Sequence, residues 1–216
     1  MISFDNAKAI LKPFLFSPTK PKYIREIEKD CELSYERVQH YLNELEKNTV
    51  VRSAIRGKIK EYSININNEL VLKLFSVLEM ERRHEFYRDS KTAVVWLRRM
   101  TNELLSEDSN KKSKTNIKFI LLFGSAARMD TNEESDFDIL IVVKNKDRYF
   151  ESHTGSIGKQ MENLSGKKFS IQTIELDMMR KLWKNEPVYH NIWIDRILLY
   201  GEEKFWMEVL KIGEPI

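Results

Sequence analysis

Two aspartates, Asp136 and Asp138, open an apolar run of β type, and a second such run, Ile117–Phe123, ends upstream at Gly124-Ser125. Side chains alternate across a strand, so residues i and i+2 share a face. Asp136 and Asp138 are therefore expected side by side at a strand start, where two bare carboxylates repel unless a cation lies between them. A divalent ion with hard oxygen ligands meets that need, and Mg2+ is commonly held by one or two carboxylates together with substrate phosphates. A Gly-Ser turn at a strand end brings backbone N–H groups and a hydroxyl close to phosphate, more so where a short helix begins. Gly124, Ser125, Asp136 and Asp138 thus point to a site for a nucleotide triphosphate. Mg2+ is the expected cofactor, with Asp136 and Asp138 as its ligands and as the catalytic carboxylates.

Gly124-Ser125, ten intervening residues and then Asp136-Phe137-Asp138 resembles the signature of the nucleotidyltransferase superfamily typified by DNA polymerase beta. The segment GSAARMDTNEESDFDILIVV is most similar to the small prokaryotic minimal nucleotidyltransferase domains. The resemblance spans roughly Ile117 to Gly201, the tail Ile197–Gly201 reading like the end of such a domain. It implies nucleotide-binding roles for Arg128, which matches an arginine common in those domains, and for Ser135, which matches the serine before the first aspartate. Met129 stands where they often carry glycine. A motif of this kind is confirmed by its strand–turn–helix context.

The superfamily also implies a third acid on a later strand, completing the metal cage and helping to activate the attacking hydroxyl. The corresponding run here is Lys167–Ile174, and the expected acid falls at Ser170, or at Gln172 if the register slips by one pair. Neither is an anionic ligand. Glu175 is the nearest carboxylate, but it is odd in register with Ser170 and suits the first turn of a helix, Glu175–Lys184, where an acid complements the macrodipole. Nucleotidyl transfer depends mostly on positioning and on charge stabilisation, so two outcomes follow: a weakened two-carboxylate site that still turns over, or a catalytically quiet relative that senses nucleotide.

The elements that position these residues belong to an ordinary globular chain. It has 216 residues, 42% hydrophobic and 32% charged, enough for two small domains. Its longest apolar stretch, Ile117–Phe123, is far too short to span a bilayer, and the N-terminus lacks a signal-peptide layout. Cys31 alone excludes an internal disulfide and a cysteine-rich zinc site. No membrane association and a cytoplasmic location are the expectations. The net charge is +3, and the basic excess lies in the front half; it is too small to argue nucleic-acid binding alone.

The first 68 residues add a pattern. Phe4–Phe16 reads as an amphipathic helix shortened by Pro13, and Pro21 suits the first turn of a second helix, Lys22–Asp30. Ser34 then caps a third helix, Tyr35–Lys47, with Val38, Tyr41, Leu42 and Leu45 on one face. Two β-type runs follow around a hairpin turn, Arg56-Gly57-Lys58. This order resembles the winged helix-turn-helix family, in which the third helix enters the major groove of DNA and the wing contacts phosphate. The resemblance implies DNA contacts from Ser34, Tyr35, Arg37, Gln39, His40 and Asn43 on the helix, and from Arg52, Arg56, Lys58 and Lys60 on the wing. Gln and Asn can read adenine and Arg can read guanine. Glu36, Glu44 and Glu46 suit the alternative, a face used for protein contacts.

The expected fold class is α+β, with a winged helix-turn-helix over 1–68, linker helices over 69–116, and a nucleotidyltransferase-type mixed sheet with flanking helices over 117–216. Helices Glu69–Arg88 and Lys91–Leu105 carry apolar stripes suited to a core or to a homodimer seam. The polar run Ser106–Asn116 reads as a linker. Gly155 and Gly158 mark a break in an otherwise helical segment. Trp183, Trp193 and Trp206 are expected to pack the C-terminal helices on the sheet. Lys167-Lys168 is placed to neutralise triphosphate at the site mouth. His84, His153 and His190 lack metal-ligand spacing. Two functions remain open: a Mg2+-dependent nucleotidyltransferase moving a nucleoside monophosphate from an NTP to a hydroxyl of protein, RNA or small molecule, targeted by a winged helix; or a DNA-binding transcriptional regulator whose nucleotidyltransferase-like domain senses nucleotide or serves as scaffold. An acid beside Asp136 and Asp138 favours the first, a Ser or Gln there the second.

Overall fold

The computed structural model describes residues 3–109, 115–129, 136–213 and 215. The chain forms two compact units, one of residues 1–78 with 206–214, the other of residues 79–205 with 215–216.

The first unit begins with α1 (Phe4–Leu11), capped by the Ser3 hydroxyl accepting from Asn6 N. Pro13 ends it: residues Lys12–Phe14 tighten into a 3-10 turn. The expected helix Lys22–Asp30 is corrected at its start. Lys22 and Tyr23 form the short strand β1, pairing with Tyr62 and Glu61, and α2 runs Ile24–Cys31. Proline disfavours helical backbone in the residue before it but leaves the residues after it free to pair, and here they take the edge of a hairpin. Glu26 Oε2 then accepts from Tyr23 N at 2.6 Å, closing the helix entry. The third helix, α3 (Tyr35–Lys47), has the bounds expected from its apolar spacing and buries Val38, Leu42 and Leu45. Strands β2 (Val51–Arg56) and β3 (Ile59–Ile64) close an antiparallel hairpin, giving the order β1-β3-β2. Ile10, Leu11, Phe14, Ile27, Val38 and Leu42 are fully buried, each such side chain contributing roughly 1.5–3 kcal/mol of transfer free energy. Trp206 also belongs to this unit, its ring 4.5 Å from that of Phe75. That corrects its expected place against the C-terminal sheet.

Two long helices follow, α4 (Glu69–Asp89) and α5 (Lys91–Asp108). The helix α5 therefore takes in Ser106–Asp108 of the expected linker, and residues 110–114 lie outside the described residues.

The second unit is built on four strands: β4 (Ile117–Phe123), β5 (Phe137–Val143), β6 (Phe169–Glu175) and β7 (Ile197–Tyr200). Their order is β6-β5-β4-β7, with β4 antiparallel to β5 and β7, and β5 parallel to β6. A parallel pair needs a crossover, and α7 (Arg148–Ser165) supplies it without interruption at Gly155 or Gly158. The expected break is absent because Gly158 lies at a helix–strand contact: a Cβ there would sit 3.4 Å from Ile171 Cδ1 and 3.5 Å from Phe169 O. One face of the sheet, with Ile120, Leu122, Phe137, Ile139 and Ile141, is buried with Leu97, Met100 and Leu104 of α5 and Phe150 and Met161 of α7. Phe119, from the other parity of β4, meets the Phe205 ring at 5.3 Å, and Trp183 and Trp193 complete that aromatic group.

A buried ion pair ties two distant segments of this unit. Glu79 Oε1 accepts from Arg196 Nε at 3.0 Å and from Nη2 at 2.6 Å, with neither side chain exposed. Among the described residues no helix is long and apolar enough to cross a membrane.

Candidate functional site

The strand β4 delivers Phe123 to a turn that becomes the short helix α6 (Gly124–Arg128). Antiparallel pairing sets Phe123 opposite Asp138. The backbone at Gly124 has φ +75°, and a Cβ there would lie 2.8 Å from Asp138 Oδ2. Glycine is required twice over, by the left-handed backbone and by the carboxylate pressed against it. Strand, turn and short helix are thus the context the Gly-Ser motif calls for.

Alternation along β5 separates core from site. Phe137 is buried, whereas Asp136 and Asp138 on either side of it are half-exposed. Phe137 N donates to Lys168 O at 2.9 Å, which brings the start of β6 beside the start of β5. The Lys168 ammonium lies 3.3 Å from Asp136 Oδ2, while Lys167 sits over the Phe137 ring, 5.7 Å from its centroid. Of the two lysines, Lys168 is the one at the acidic lip.

The parallel ladder aligns Asp138 with Ser170, and Gln172 with Leu140. Of the two positions expected to carry a third acid, Ser170 is therefore the one beside Asp138. Burial raises the Asp138 carboxyl above its ordinary value, and repulsion from Asp136 raises it further; a hydrogen bond from Ser170 and the charge of Lys168 act in the opposite direction. Glu175 lies at the far end of the strand, opposite Val143, where its Oε1 accepts from Lys146 N at 2.7 Å. It ends β6 and caps α8 (Leu176–Leu182), and so belongs to the strand and not to the helix expected over Glu175–Lys184.

Arg128 pairs with Asp195 of α9 (Pro187–Asp195), whose side chain is 7% exposed. Met129 caps α6 in the left-handed region with φ 59°, which accounts for the glycine preferred at this place. Ser125 is half-buried in the first turn of α6. Ser135 lies outside the described residues. Lys168 and Ser170 are singled out by the sequence, and the sheet register sets each beside an acid 32 positions away. Asp195 is the site neighbour that the sequence does not announce; its partner Arg128 is 67 positions away, and only the packing of α6 reveals it.

The donor set bears on Mg2+. Asp136 and Asp138 offer hard oxygen ligands of the kind that ion takes along with phosphate oxygens. Among the described residues no group of three or more His, Cys, Asp or Glu is arranged to hold a metal. The residues fit a single ion that shares its coordination with a ligand, and they do not form an all-protein cage.

In the first unit, Arg37, Gln39, His40 and Asn43 of α3 are exposed, as are Arg52, Arg56 and Lys58 of the hairpin. Tyr35 is half-buried under the Arg25 guanidinium, 4.5 Å from its ring centroid. Lys60 is engaged by Glu46 Oε2 at 2.9 Å, which raises the Lys60 pKa; that of Glu46 is lowered first by the hydrogen bond from Ser53 and then by Lys60. Arg52, Arg56 and Lys58 form no ion pair with the described residues.

Residues 108–204 match the model of the family described as "Polymerase beta, Nucleotidyltransferase". No curated protein matches the chain. Among solved structures, a chain from the "Crystal structure of the toxin-antitoxin with AMP-PNP" is similar at 14% identity, over 53% of this chain and 83% of that one, with a TM-score of 0.35. A likeness that distant carries no further argument.

Proposed function

We propose that the nucleotidyltransferase-type segment binds a nucleoside triphosphate with Mg2+ at the Gly124–Asp138 lip, and that the first unit is a winged helix that binds duplex DNA. In this reading the chain is a nucleotide-responsive DNA-binding regulator with little transferase activity. The single observation that carries it is Ser170 opposite Asp138. An alcohol is far too weak a base to take a proton from an attacking hydroxyl, and it adds no anionic ligand. Mg2+ held by Asp136 and Asp138 would supply charge compensation for the triphosphate. Gly124 lets the Asp138 carboxylate stand against the turn, Ser125 offers a hydroxyl to phosphate, and Lys168 adds a positive charge at the same edge.

A second reading, an active Mg2+-dependent nucleotidyltransferase acting on a hydroxyl of an unidentified acceptor, is favoured by the match at residues 108–204.

The DNA proposal rests on the exposed cations Arg52, Arg56 and Lys58, which form no ion pair with the described residues, beside the exposed face of α3. Homodimerisation, which would let two such units read a palindrome, is part of the same proposal.

Calorimetric titration with Mg2+-ATP tests the site: binding by the wild type and none by Asp136→Ala/Asp138→Ala is expected, and equal affinity for the two overturns it. Incubation with labelled ATP, GTP, CTP and UTP in a cell lysate separates the readings, a labelled product that disappears in Asp138→Ala establishing the transferase. For DNA, Arg56→Glu/Lys58→Glu is expected to lower the slope of log affinity against log salt, by roughly 0.9 for each phosphate the wing no longer neutralises. An unchanged slope refutes that part.

A further inference from the structure

A separate cavity of about 440 Å3 lies among α4, α5 and β7 of the second unit and shares no residue with the Gly124–Asp138 lip. That volume is in the range of small-molecule sites. Helical spacing builds its walls: His84 and Tyr87 stand three apart on α4, Arg98 and Asn102 four apart on α5, so each pair shares a face. Met80 and Leu199 add apolar lining, and among the described residues no acid lines it.

The donors around this space differ in what the protein asks of them. Arg83 is committed: its Nη1 donates to Leu198 O at 3.0 Å and to Leu199 O at 2.8 Å, and it pairs with Glu202. Arg98 makes no ion pair with the described residues and lies over the Tyr87 ring, 5.1 Å from its centroid. The His84 and Asn102 side chains likewise have no partner among the described residues. Thr101 is 8% exposed, and its buried Oγ1 has no hydrogen-bond partner among them either. Buried polar groups are satisfied as a rule. A guanidinium, an imidazole, an amide and a hydroxyl uncommitted to the fold therefore line one cavity.

We propose that this cavity binds a small phosphomonoester. A guanidinium over an aromatic ring, 5.1 Å from its centroid and without an ion pair among the described residues, keeps N–H groups for contact with an oxyanion. Four uncommitted donors exceed what the two oxygens of a carboxylate use, whereas a phosphate presents three or more acceptor oxygens. Met80 and Leu199 would face the organic remainder. The proposal is independent of what the acidic lip binds.

Isothermal titration in the presence of EDTA tests it, with inorganic phosphate and ribose 5-phosphate as probes and succinate as the carboxylate comparison. Arg98→Gln is expected to weaken both phosphate probes by about tenfold or more, the usual effect of removing a charge-assisted pair. Asn102→Asp, which sets an acid among the donors, is expected to abolish binding. Both side chains are exposed, so each variant should keep its fold, verified by circular dichroism. Asp136→Asn/Asp138→Asn is expected to bind as the wild type does, with succinate at least about tenfold weaker than phosphate. No heat with either phosphate probe, an isotherm unmoved by Arg98→Gln, loss of binding in the aspartate double variant, or succinate equal to phosphate would each overturn it.

Discussion

Asp138 stands opposite Ser170 across the parallel β5–β6 ladder, and on its other side its carboxylate presses against Gly124 of the turn after β4. The acid is thereby positioned by two neighbours that contribute no charge. Among the described residues, the charge balance at this edge comes from Lys168, 3.3 Å from Asp136.

The Asp138 carboxyl carries a stability cost with a definite sign. Its folded value lies above the ordinary 3.8 of aspartate, because of burial first and Asp136 second. The folded state holds that proton more tightly than the unfolded one. Stability is thus unaffected below 3.8 and falls as pH rises from there through the folded value. Asp138→Asn removes the cost, so it should melt above the wild type at about pH 7, the difference vanishing below about pH 3.8. Scanning calorimetry across that range checks it, and a lower melting temperature at neutral pH speaks against the account.

Gly124→Ala should destabilise by about 1–2 kcal/mol through the left-handed backbone alone, with a further penalty from the 2.8 Å approach to Asp138 Oδ2. That second part disappears in a background of Asp138→Ala. A double-mutant cycle in urea therefore reads the contact as non-additivity. Strict additivity would mean that the carboxylate does not feel the turn.

Ser170→Asp places a third carboxylate beside Asp138. Without metal it should lower stability at neutral pH by like-charge repulsion. With Mg2+ it should gain ion affinity by about tenfold, some 1.4 kcal/mol. Melting with and without Mg2+ reports both, and the two effects must have opposite signs for the placement to be right.

Glu79→Gln should cost about 3–5 kcal/mol by leaving the buried Arg196 charge unpaired, and Arg196→Met should cost less, because Glu79 Oε2 keeps Arg82 Nη1 at 3.2 Å. Burial already lowers the Arg196 value to about 10. The double replacement Glu79→Leu/Arg196→Met should recover most of that stability, and a double variant as unstable as either single one would argue against it. Denaturant titration of the three proteins decides.

Local pattern carried part of this molecule. The apolar spacing of Val38, Leu42 and Leu45 sets the bounds of α3, and the alternation around Phe137 places the two acids apart from the core. Pro13 shortens α1 as its missing N–H requires. What local pattern does not contain are pairings made by topology. Nothing near Lys22 announces Tyr62, nothing near Arg128 announces Asp195, and Gly158 reads as a helix breaker until β6 is laid against it. The cavity donors of α4 and α5 stand on two helices whose sequences differ little from solvated faces, and only the packing of one on the other makes a site of them.

The parity of β5 binds folding to chemistry. Because Phe137 points into the core and the carboxylates on either side of it to the lip, sliding this strand by a single residue would sink both acids into hydrocarbon and bring an aromatic to the half-exposed edge. Leu140 and Val142 are buried on the opposite face, so a misregistered chain would forfeit its lip above all. A chain in the native register arrives with its anions facing outward.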